Sequence, residues 1–595
     1  MRPTGASGEG ASEATARLVP PPGQADSATA RLVPPPVQAD SATARSDPPA
    51  APVDGLTAPC APPPGLADGE SSGLSARWAG LVALAGGLTL AAAFPPVGAW
   101  PLAAAAPALL TVALWRQSAR TSLVVGLVFG AAFFVPLLAW LVNVAWYVWA
   151  ALAVTETVLF AVLVLGQRLL LRLPAWPVAV AGWWVAAEAV RDRFPWGGFP
   201  WGRLAMSQAG APTARWVAVG GPPLLTFLMA LAGGCLAWLL LVPSPLWRRR
   251  VIPALAFAAA AGIALAGALL PTDGQAAGTP TATVAAVQGN VPRARNLPDL
   301  LRATTVTRHH VAVTEQLAAQ VRRGQRPAPD LVIWPENSTD IDPSASPPTY
   351  LAIQSAVNAI DRPVLVGAVL NSPERNSGQL WLPGRGPVAV YVKRQLVPFG
   401  ENIPFRGVLS KFIPLIKLQP LDFTPGHRAV VFRVGKIRLG DVICYEVGFD
   451  SLVSSEVAAG ANLLSVQTND ADFELDGQAG ETLQQLDMAR IRAIEHDRAV
   501  VVASTTGVSA IIAPDGTMIA RSRTWRPAAL DERVPLRTDV TLADRVGAWP
   551  EGVISAAVLA ALAWALAGAV RGRRRRAPRR THSRRGVPAL AADAQ

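Results

Sequence analysis

The sequence predicts a helical membrane protein of several spans with an inserted α/β domain outside the membrane. Of its 595 residues, 51% are hydrophobic and only 16% are charged. The apolar residues cluster into long runs, which a single soluble core would not explain. Before the last run lies a polar segment, about residues 275–548, in which short β-rich stretches alternate with helical ones. That alternation is typical of α/β layers.

The chain begins with a segment of low complexity. Residues 1–75 are rich in Pro, Ala, Ser and Gly, and the stretch Ala-Thr-Ala-Arg-Leu-Val-Pro-Pro-Pro starts at Ala14 and again at Ala28. Because such a composition cannot bury a core, this segment is predicted to be disordered. No apolar core of the signal-peptide type lies near Met1, so we expect a cytoplasmic extension, with the first span as the insertion signal.

Eight apolar runs are predicted to be membrane spans. They lie near residues 78–94, 98–115, 121–142, 144–166, 174–190, 213–243, 251–270 and 549–570. The first seven make up a predicted membrane domain, residues 76–274. Arginines fall at every second position between spans, so the positive-inside rule places both termini in the cytoplasm and residues 275–548 outside. Arg191 and Arg193 are the exception to this pattern.

The net charge of +12 has a local origin. Nine arginines lie between Arg571 and Arg585, directly after the last apolar run. Residues 571–595 are therefore predicted to be a cytoplasmic tail at the membrane surface. The tail has no interleaved aromatic residues, so we expect no nucleic-acid partner.

Two carboxylates fall within predicted spans, Glu156 in the fourth and Glu188 in the fifth. Because an unpaired charge in a bilayer is costly, Glu188 is predicted to pair with Arg191 on the same helix. Both a structural pair and a phospholipid headgroup site near Gly198-Phe-Pro-Trp201 fit this pattern. Four tryptophans are predicted to be interface anchors: Trp183, Trp184, Trp196 and Trp201.

Three polar residues each end an apolar run of the polar segment. Glu336 ends Leu331-Val-Ile-Trp-Pro, Lys393 follows Tyr391-Val, and Cys444 follows Asp441-Val-Ile. Strand ends are where a layered sheet opens into a cleft, so these side chains are predicted to converge. A nearby carboxylate could take the proton of a thiol, and a cation could stabilise the charge that develops when the thiol attacks a carbonyl. The combination favours acyl transfer.

Plainer interpretations stay open for each residue taken alone. A lone cysteine is more often an inert core residue than a nucleophile, and Glu336, Lys393 and Glu401 could be surface or turn residues. The other cysteines, Cys60 and Cys235, lie outside the polar segment, which excludes a disulfide framework there. The five histidines show no ligand spacing, and no glycine-rich phosphate loop is present, so no metal or other cofactor is expected.

The motifs resemble those of a known family. Trp334-Pro-Glu336, Tyr391-Val-Lys393 with Leu396-Val-Pro-Phe-Gly-Glu401, and Cys444-Tyr-Glu446 resemble the glutamate, lysine and cysteine motifs of nitrilase-type enzymes. Together with the spans, they make the chain similar to the apolipoprotein N-acyltransferases from about residue 78 to residue 570. Val287-Gln-Gly-Asn290 and Gly198-Phe-Pro-Trp201 add to the likeness. The resemblance implies an α-β-β-α sandwich for residues 275–548.

The resemblance also implies roles for the site residues. Glu336 would be the proton acceptor, Lys393 the cation that stabilises the oxyanion, and Cys444 the nucleophile. Glu401 would be an auxiliary carboxylate, and Tyr445 and Glu446 would support the pocket. Two departures from the family pattern concern the site's surroundings: Ala471-Asp472-Phe473 stands where an aromatic pair is usual, and Gln485 replaces an expected histidine.

The implied reaction is a ping-pong transfer, the last step of lipoprotein maturation. An acyl chain would pass from a glycerophospholipid to the cysteine, and then to the α-amine of a diacylglyceryl-cysteine apolipoprotein. The resemblance implies a multi-pass protein of the cytoplasmic membrane with its catalytic domain on the extracytoplasmic face, and we expect a monomer. Two other functions stay open, a membrane-tethered amidase of the nitrilase type and a non-catalytic envelope scaffold.

Overall fold

The computed structural model describes residues 73–242, 247–271, 278–292, 298–411, 422–473 and 480–576. Almost all of the predicted N-terminal extension and the tail beyond residue 576 lie outside the described residues. The predicted domain boundaries stay predictions. Helices and strands are numbered along the chain, α1 to α14 and β1 to β12.

Eight apolar helices lie at the positions of the eight predicted spans. Their bounds are α1 (Ala76–Ala93), α2 (Leu102–Leu114), α3 (Ala119–Leu137), α4 (Trp146–Leu170), α5 (Trp176–Arg191), α6 (Val217–Leu241), α7 (Trp247–Leu265) and α14 (Trp549–Arg576). Five are long and apolar enough to cross a bilayer: α3, α4, α6 with the turn before it, α7 and α14. Helices α1, α2 and α5 are shorter. The protein is thus an integral membrane protein by composition, and the count of eight crossings stays a prediction.

The polar segment contains two six-stranded sheets. The strands are β1 (Thr281–Gln288), β2 (Leu331–Ile333), β3 (Val364–Leu370), β4 (Arg375–Leu382), β5 (Gly386–Val392), β6 (Val431–Val434), β7 (Ile437–Ile443), β8 (Leu463–Thr468), β9 (Val500–Ser504), β10 (Ala510–Ile512), β11 (Met518–Arg521) and β12 (Ala528–Pro535). Their orders are β12-β1-β2-β3-β4-β5 and β11-β10-β9-β8-β7-β6. In each sheet three parallel strands stand between antiparallel neighbours. Parallel strands need helical crossovers, which explains the alternation in the sequence.

Six helices are described in the polar segment, and four of them cover the outer faces of the two sheets. The six are α8 (Asp299–Arg322), α9 (Pro347–Ile360), α10 (Arg406–Leu409), α11 (Asp450–Ala458), α12 (Gly480–His496) and α13 (Leu542–Val546). Helices α8 and α9 bury apolar residues against the first sheet, and a second apolar layer fills the space between the sheets. Helices α11 and α12 lie on the second sheet. The layers are therefore α-β-β-α, and the predicted nitrilase-like fold is confirmed.

The second sheet and its helices share one hydrophobic core with the membrane helices. Buried residues of α12, such as Leu486 and Ile491, belong to the same cluster as Phe133 of α3 and Met229 of α6. Helix α12 also packs against α6. Because the core is continuous, the α/β domain is packed onto the helical bundle and is not merely tethered to it.

Candidate active site

Lys393 is at the centre of a buried cluster of polar groups. It directly follows β5, and its side chain is only 1% exposed. Its Nζ donates hydrogen bonds to Oε1 of Glu336 at 2.9 Å and to Oε1 of Glu401 at 3.0 Å. A buried ammonium requires such partners, since its desolvation is otherwise uncompensated. The predicted convergence of the glutamate and the lysine is therefore present.

Asn376 of β4 completes this cluster. Its Nδ2 donates to Oε1 of Glu336 and to Oε1 of Glu401, both at 2.7 Å. The backbone N–H of Asn469, just after β8, donates to the other Glu336 oxygen at 2.9 Å. Glu401 is itself fixed by the N–H of Val397. Sequence analysis missed Asn376, because β4 was not predicted and Arg375-Asn-Ser-Gly reads as a turn.

Cys444 directly follows β7 and begins a 3₁₀ turn that ends at Gly448. Its backbone φ of +54° lies in the left-handed region, where a side chain is strained. The Nε2 atom of Gln485 on α12 lies 3.7 Å from the sulfur. The carboxylate of Glu336 and the ammonium of Lys393 both act electrostatically on the thiol. The structure thus brings the three predicted catalytic residues into one site.

Burial dominates the ionisation of these groups. It raises the pKa of the Cys444 thiol well above its usual range, and the Glu336 carboxylate raises it further, while Lys393 lowers it. Burial also raises the pKa of Glu336. Burial alone would lower the pKa of Lys393, but the two glutamates outweigh it and hold that pKa well above its ordinary value. At neutral pH the site therefore holds a neutral thiol beside a charged lysine, and a base must take the thiol proton during attack.

Glu446 binds the backbone next to both Lys393 and Cys444. Its Oε1 accepts from the backbone N–H of Arg394 at 2.7 Å, and its Oε2 accepts from the N–H of Ile443 at 2.7 Å and from the Tyr391 hydroxyl at 2.8 Å. These bonds connect the end of β5 to the end of β7. Glu446 therefore fixes the backbones that carry Lys393 and Cys444 relative to each other.

Tyr445 faces the membrane helices. Its hydroxyl donates to the carbonyl of Gly198 at 2.6 Å, and its ring stacks on Trp201, with ring centroids 5.6 Å apart. Trp201 is buried, as are Trp183 and Trp184. The prediction that these three are interface anchors is wrong, because they fill the core of the helical part and its contact with the α/β domain. Trp196 is 41% exposed, so the anchor prediction stays open for it.

The buried arginines of the helical part have different partners from those predicted. Arg191 pairs with Glu156 at 2.7 Å, whereas Glu188 accepts hydrogen bonds from the backbone of Leu204 and from the hydroxyl of Thr226. The predicted Glu188–Arg191 pair is therefore wrong. Sequence spacing allowed that pair, but a partner on a neighbouring helix is closer to Arg191.

A second ionic cluster connects the helical part to the α/β domain. Asp450, which opens α11, accepts from Arg203 at 2.7 Å and from Arg492 of α12 at 2.6 Å. Arg492 also pairs with Glu495 at 2.6 Å. Arg203 and Arg492 are almost fully buried, so this cluster depends on complete pairing.

A cavity of about 330 Å³ lies between the residues before α4, helix α8 and the loop after β8. Arg302 and Asp472 line it, with their charged groups 3.6 Å apart. Asp472, one of the departures from the family pattern, thus faces this cavity, whereas Gln485, the other, contacts the sulfur. Within the part of the chain that the structure describes, no group of three or more potential metal ligands is present.

Two families match the sequence in separate regions. The apolipoprotein N-acyltransferase N-terminal domain matches residues 86–235, and the carbon-nitrogen hydrolase family matches residues 283–536. An amidase from Nesterenkonia sp. of known structure covers 43% of this chain and 91% of its own, at 17% identity and a TM-score of 0.32. A likeness of that size carries no argument about function.

Curated relatives match both regions together. An apolipoprotein N-acyltransferase from Mycolicibacterium smegmatis is 37% identical over 81% of this chain and 84% of its own. One from Azotobacter vinelandii is 32% identical over 82% of this chain and 95% of its own. With the matching domains on one chain and the glutamate, lysine and cysteine in one buried site, the chain belongs to the apolipoprotein N-acyltransferase family.

Proposed function

We propose that the protein transfers an acyl chain from a glycerophospholipid to the α-amine of diacylated apolipoproteins through a thioester on Cys444. The observation that carries this proposal is the cluster of Glu336, Lys393 and Cys444, buried next to the contact between the α/β domain and the apolar helices. Both substrates are anchored in a bilayer, so a site beside membrane helices suits them. The family relationship supports the same reaction.

In the first half-reaction, the sulfur of Cys444 attacks the ester carbonyl of the phospholipid while Glu336 takes the thiol proton. A carbon–sulfur bond forms, and the carbon–oxygen bond to glycerol breaks. Lys393 stabilises the negative charge on the carbonyl oxygen as the tetrahedral intermediate forms. Glu336 then returns its proton to the leaving oxygen, and lysophospholipid departs. Burial raises the pKa of Glu336, which makes this carboxylate a stronger base than an exposed glutamate.

In the second half-reaction, the free α-amine of the apolipoprotein attacks the thioester. Glu336 takes a proton from the amine and gives it to the departing sulfur, so Cys444 ends as a thiol and the product is an amide. Glu401 and Asn376 act as positioning residues here, because each bonds the groups that move the protons or the charge. Tyr445 and Glu446 fix the backbone around the nucleophile.

The same proposal includes the protein's setting. Eight spans with both termini in the cytoplasm put the α/β domain on the extracytoplasmic face of the cytoplasmic membrane, where lipoprotein substrates present their amines. Acyl chains would then enter the site from the outer leaflet. A single chain carries the whole cluster, so we propose that the enzyme works as a monomer without a metal or other cofactor.

Intact-protein mass spectrometry tests the proposal. The purified chain is incubated in phospholipid micelles, and a diacylated lipopeptide with a free amine is then added. We expect an added acyl mass that disappears when the lipopeptide is acylated. The mass should be missing from Cys444→Ala and present in Cys235→Ala, which removes the buried thiol of α6.

Each other outcome points to another function. No acyl mass on the wild-type chain would favour the envelope scaffold. An acyl mass that discharges only to water, with lipopeptide present, would favour the membrane-tethered amidase or hydrolase. An acyl mass that persists in Cys444→Ala would contradict the assignment of the nucleophile.

A further inference from the structure

Asp441 is a carboxylic acid in the apolar layer between the two sheets. It lies on β7 and is fully buried. Residues on the same side of this strand, such as Leu439 and Ile443, belong to the hydrophobic cluster that fills the space between the sheets. Within the described part of the chain, no arginine or lysine pairs with Asp441, whereas the buried carboxylates of Glu336 and Glu456 have such partners.

The two oxygens of Asp441 differ in their surroundings. Oδ1 accepts from the hydroxyl of Ser465 on the neighbouring strand β8 at 2.6 Å. Oδ2 has no hydrogen-bond partner among the described residues, and the same holds for Oε1 of Gln467, two residues after Ser465. Both unpaired oxygens point at Gly378 of β4, because a Cβ added there would lie 2.3 Å from Oδ2 and 2.7 Å from Oε1.

Two acceptor oxygens that both lie next to Gly378 and have no donor among the described residues would each carry an uncompensated desolvation cost. One proton on the acid removes both problems, since the acid then donates to the amide oxygen. Burial, with no cation nearby, favours that state and raises the pKa of Asp441 well above its usual range. Because Gly378 has no side chain, both oxygens can lie close to its Cα, where any Cβ would clash with them.

The amide of Gln467 reaches the loop that carries Glu336. Its Nε2 donates to the carbonyl of Trp334 at 2.5 Å, two residues before Glu336 and across the gap between the sheets. The oxygen of the same amide lies next to Gly378, as Oδ2 of Asp441 does, so a donor at that oxygen would fix the direction of the amide. Fixing the amide in turn fixes the Trp334 carbonyl.

We propose that Asp441 is a protonated positioning residue that donates to Gln467, which through its bond to Trp334 holds Glu336 in place to act as the base. The inference rests on the proposed role of Glu336, and it adds Asp441 and Gln467 to the residues on which catalysis depends. Neither residue touches the reacting atoms.

Infrared difference spectroscopy tests the proton directly. Spectra of the wild-type chain and of Asp441→Asn are compared at neutral pH in a detergent without carbonyl groups. We expect a carboxylic-acid C=O band that shifts in D₂O and is missing from the variant. A difference spectrum with a carboxylate band instead would overturn the proposal, whatever the enzyme's substrates are.

Alkylation of Cys444 by iodoacetamide tests the positioning role without lipid substrates. Asp441→Asn keeps a donor for Gln467 and should react within about threefold of wild type. Asp441→Leu removes the donor at similar volume and should react roughly 10-fold slower or more, since small displacements of a catalytic group are costly. Leu439→Ala is the matched control, because it opens a cavity on the same face of β7; it should lower thermal stability and leave the alkylation rate unchanged.

The outcomes separate the possibilities. An unchanged rate in Asp441→Leu, or an equal loss in Leu439→Ala, would overturn the positioning role. Equal losses in Asp441→Asn and Asp441→Leu would overturn the role of the donated hydrogen bond. If Asp441→Leu does not fold, Gln467→Met takes its place, with the same expected loss. Glu336→Gln is the reference variant. If Cys444 is alkylated at the wild-type rate in this variant, the proposed role of Glu336 as the base is wrong. The infrared band would still show whether Asp441 is protonated.

Discussion

At the level of single residues, the surroundings of Cys444 favour a neutral thiol and impose a strained backbone on the nucleophile proposed here. Burial raises the pKa of the thiol, and the charge of Glu336 raises it further, so in the proposed mechanism the thiol gives up its proton only as it attacks the carbonyl. Cys444 also adopts a left-handed backbone that its side chain disfavours. Strain of that kind persists only when the surroundings impose it, here the Glu446 bonds on the backbone.

Glu336→Gln tests the base at nearly constant shape. The amide can still accept from Lys393, but it cannot take a proton, so we expect acyl-enzyme formation to slow by roughly 100-fold to 10,000-fold. The measurement is the rate at which the acyl mass appears on Cys444. A rate within threefold of wild type would exclude Glu336 as the proton acceptor.

The pH dependence of acyl-enzyme formation should reflect the pKa of Glu336. Burial raises this pKa and the charge of Glu401 raises it further, so activity should be lost on acidification at a higher pH than an exposed glutamate would give. Removing the Glu401 charge in Glu401→Gln should move that loss to lower pH. The measurement is a pH–rate profile of the wild type and of Glu401→Gln. A shift of the acidic loss to higher pH in the variant would contradict the assignment of this loss to Glu336.

The sequence predicted the three residues proposed to be catalytic and three of their neighbours, Glu401, Tyr445 and Glu446, but it did not predict Asn376 or Asp441 as neighbours of the site. Glu336, Lys393 and Cys444 each follow an apolar strand, a pattern visible in the sequence. Asn376 bonds two of the carboxylates, yet its strand is rich in polar residues and reads as a turn. Asp441 was noticed only as the start of a strand motif, because its surroundings depend on the packing of two sheets.

At the level of elements, periodicity predicted most helices and strands well. The sequence predicts strands at 364–369, 437–443 and 500–504 and a helix at about 480–496, and β3, β7, β9 and α12 lie within one residue of these bounds. The sequence does not predict strand β12 or helix α11, since Ala528–Pro535 has three consecutive charged residues at its centre and Asp450–Ala458 is short. The sequence could not predict which arginine pairs with which buried carboxylate. Spacing along one helix shows which residues are neighbours on that helix, but it does not show partners on another helix.

The segment between α5 and α6 meets the turn after β7 through one hydrogen bond, from Tyr445 to Gly198. Tyr445→Phe keeps the ring stacking and leaves the buried carbonyl without this donor, at a cost of about 1–3 kcal/mol. We expect a lower midpoint of thermal unfolding in detergent. Tyr147→Phe, at a half-exposed position, is the control and should not change the midpoint. Equal midpoints for all three proteins would mean that this contact contributes nothing.

For the whole molecule, Asp450 is the carboxylate on which the two parts of the protein converge. Asp450→Asn would leave Arg203 and Arg492 without their shared partner, so we expect roughly 3 kcal/mol of destabilisation. Glu551→Gln, which breaks the exposed pair with Arg193, should cost less than about 1 kcal/mol. The measurement is the loss of stability in each variant, taken from thermal unfolding. Equal losses would show that the Asp450 cluster contributes no more than an exposed ion pair.

The contribution of Asp450 should also depend on pH. Burial would raise its pKa, but Arg203 and Arg492 outweigh burial and hold the pKa well below its ordinary value. A lowered folded-state pKa means that the stabilisation is present above the ordinary pKa, near 3.8, and is lost as pH falls through the lower folded value. The difference in stability between wild type and Asp450→Asn should therefore shrink in acid. A difference that grows in acid would contradict this sign.

The core shared by α12 and the apolar helices has a consequence for hybrid enzymes. If the α/β domain is exchanged between two relatives, the donor's counterparts of Tyr445 and Asp450 must contact the recipient's counterparts of Gly198 and Arg203. Such chimeras should express poorly unless the loop between α5 and α6 travels with the transplanted domain. Substrate range in this family is therefore best engineered with that loop and the domain as one exchangeable unit.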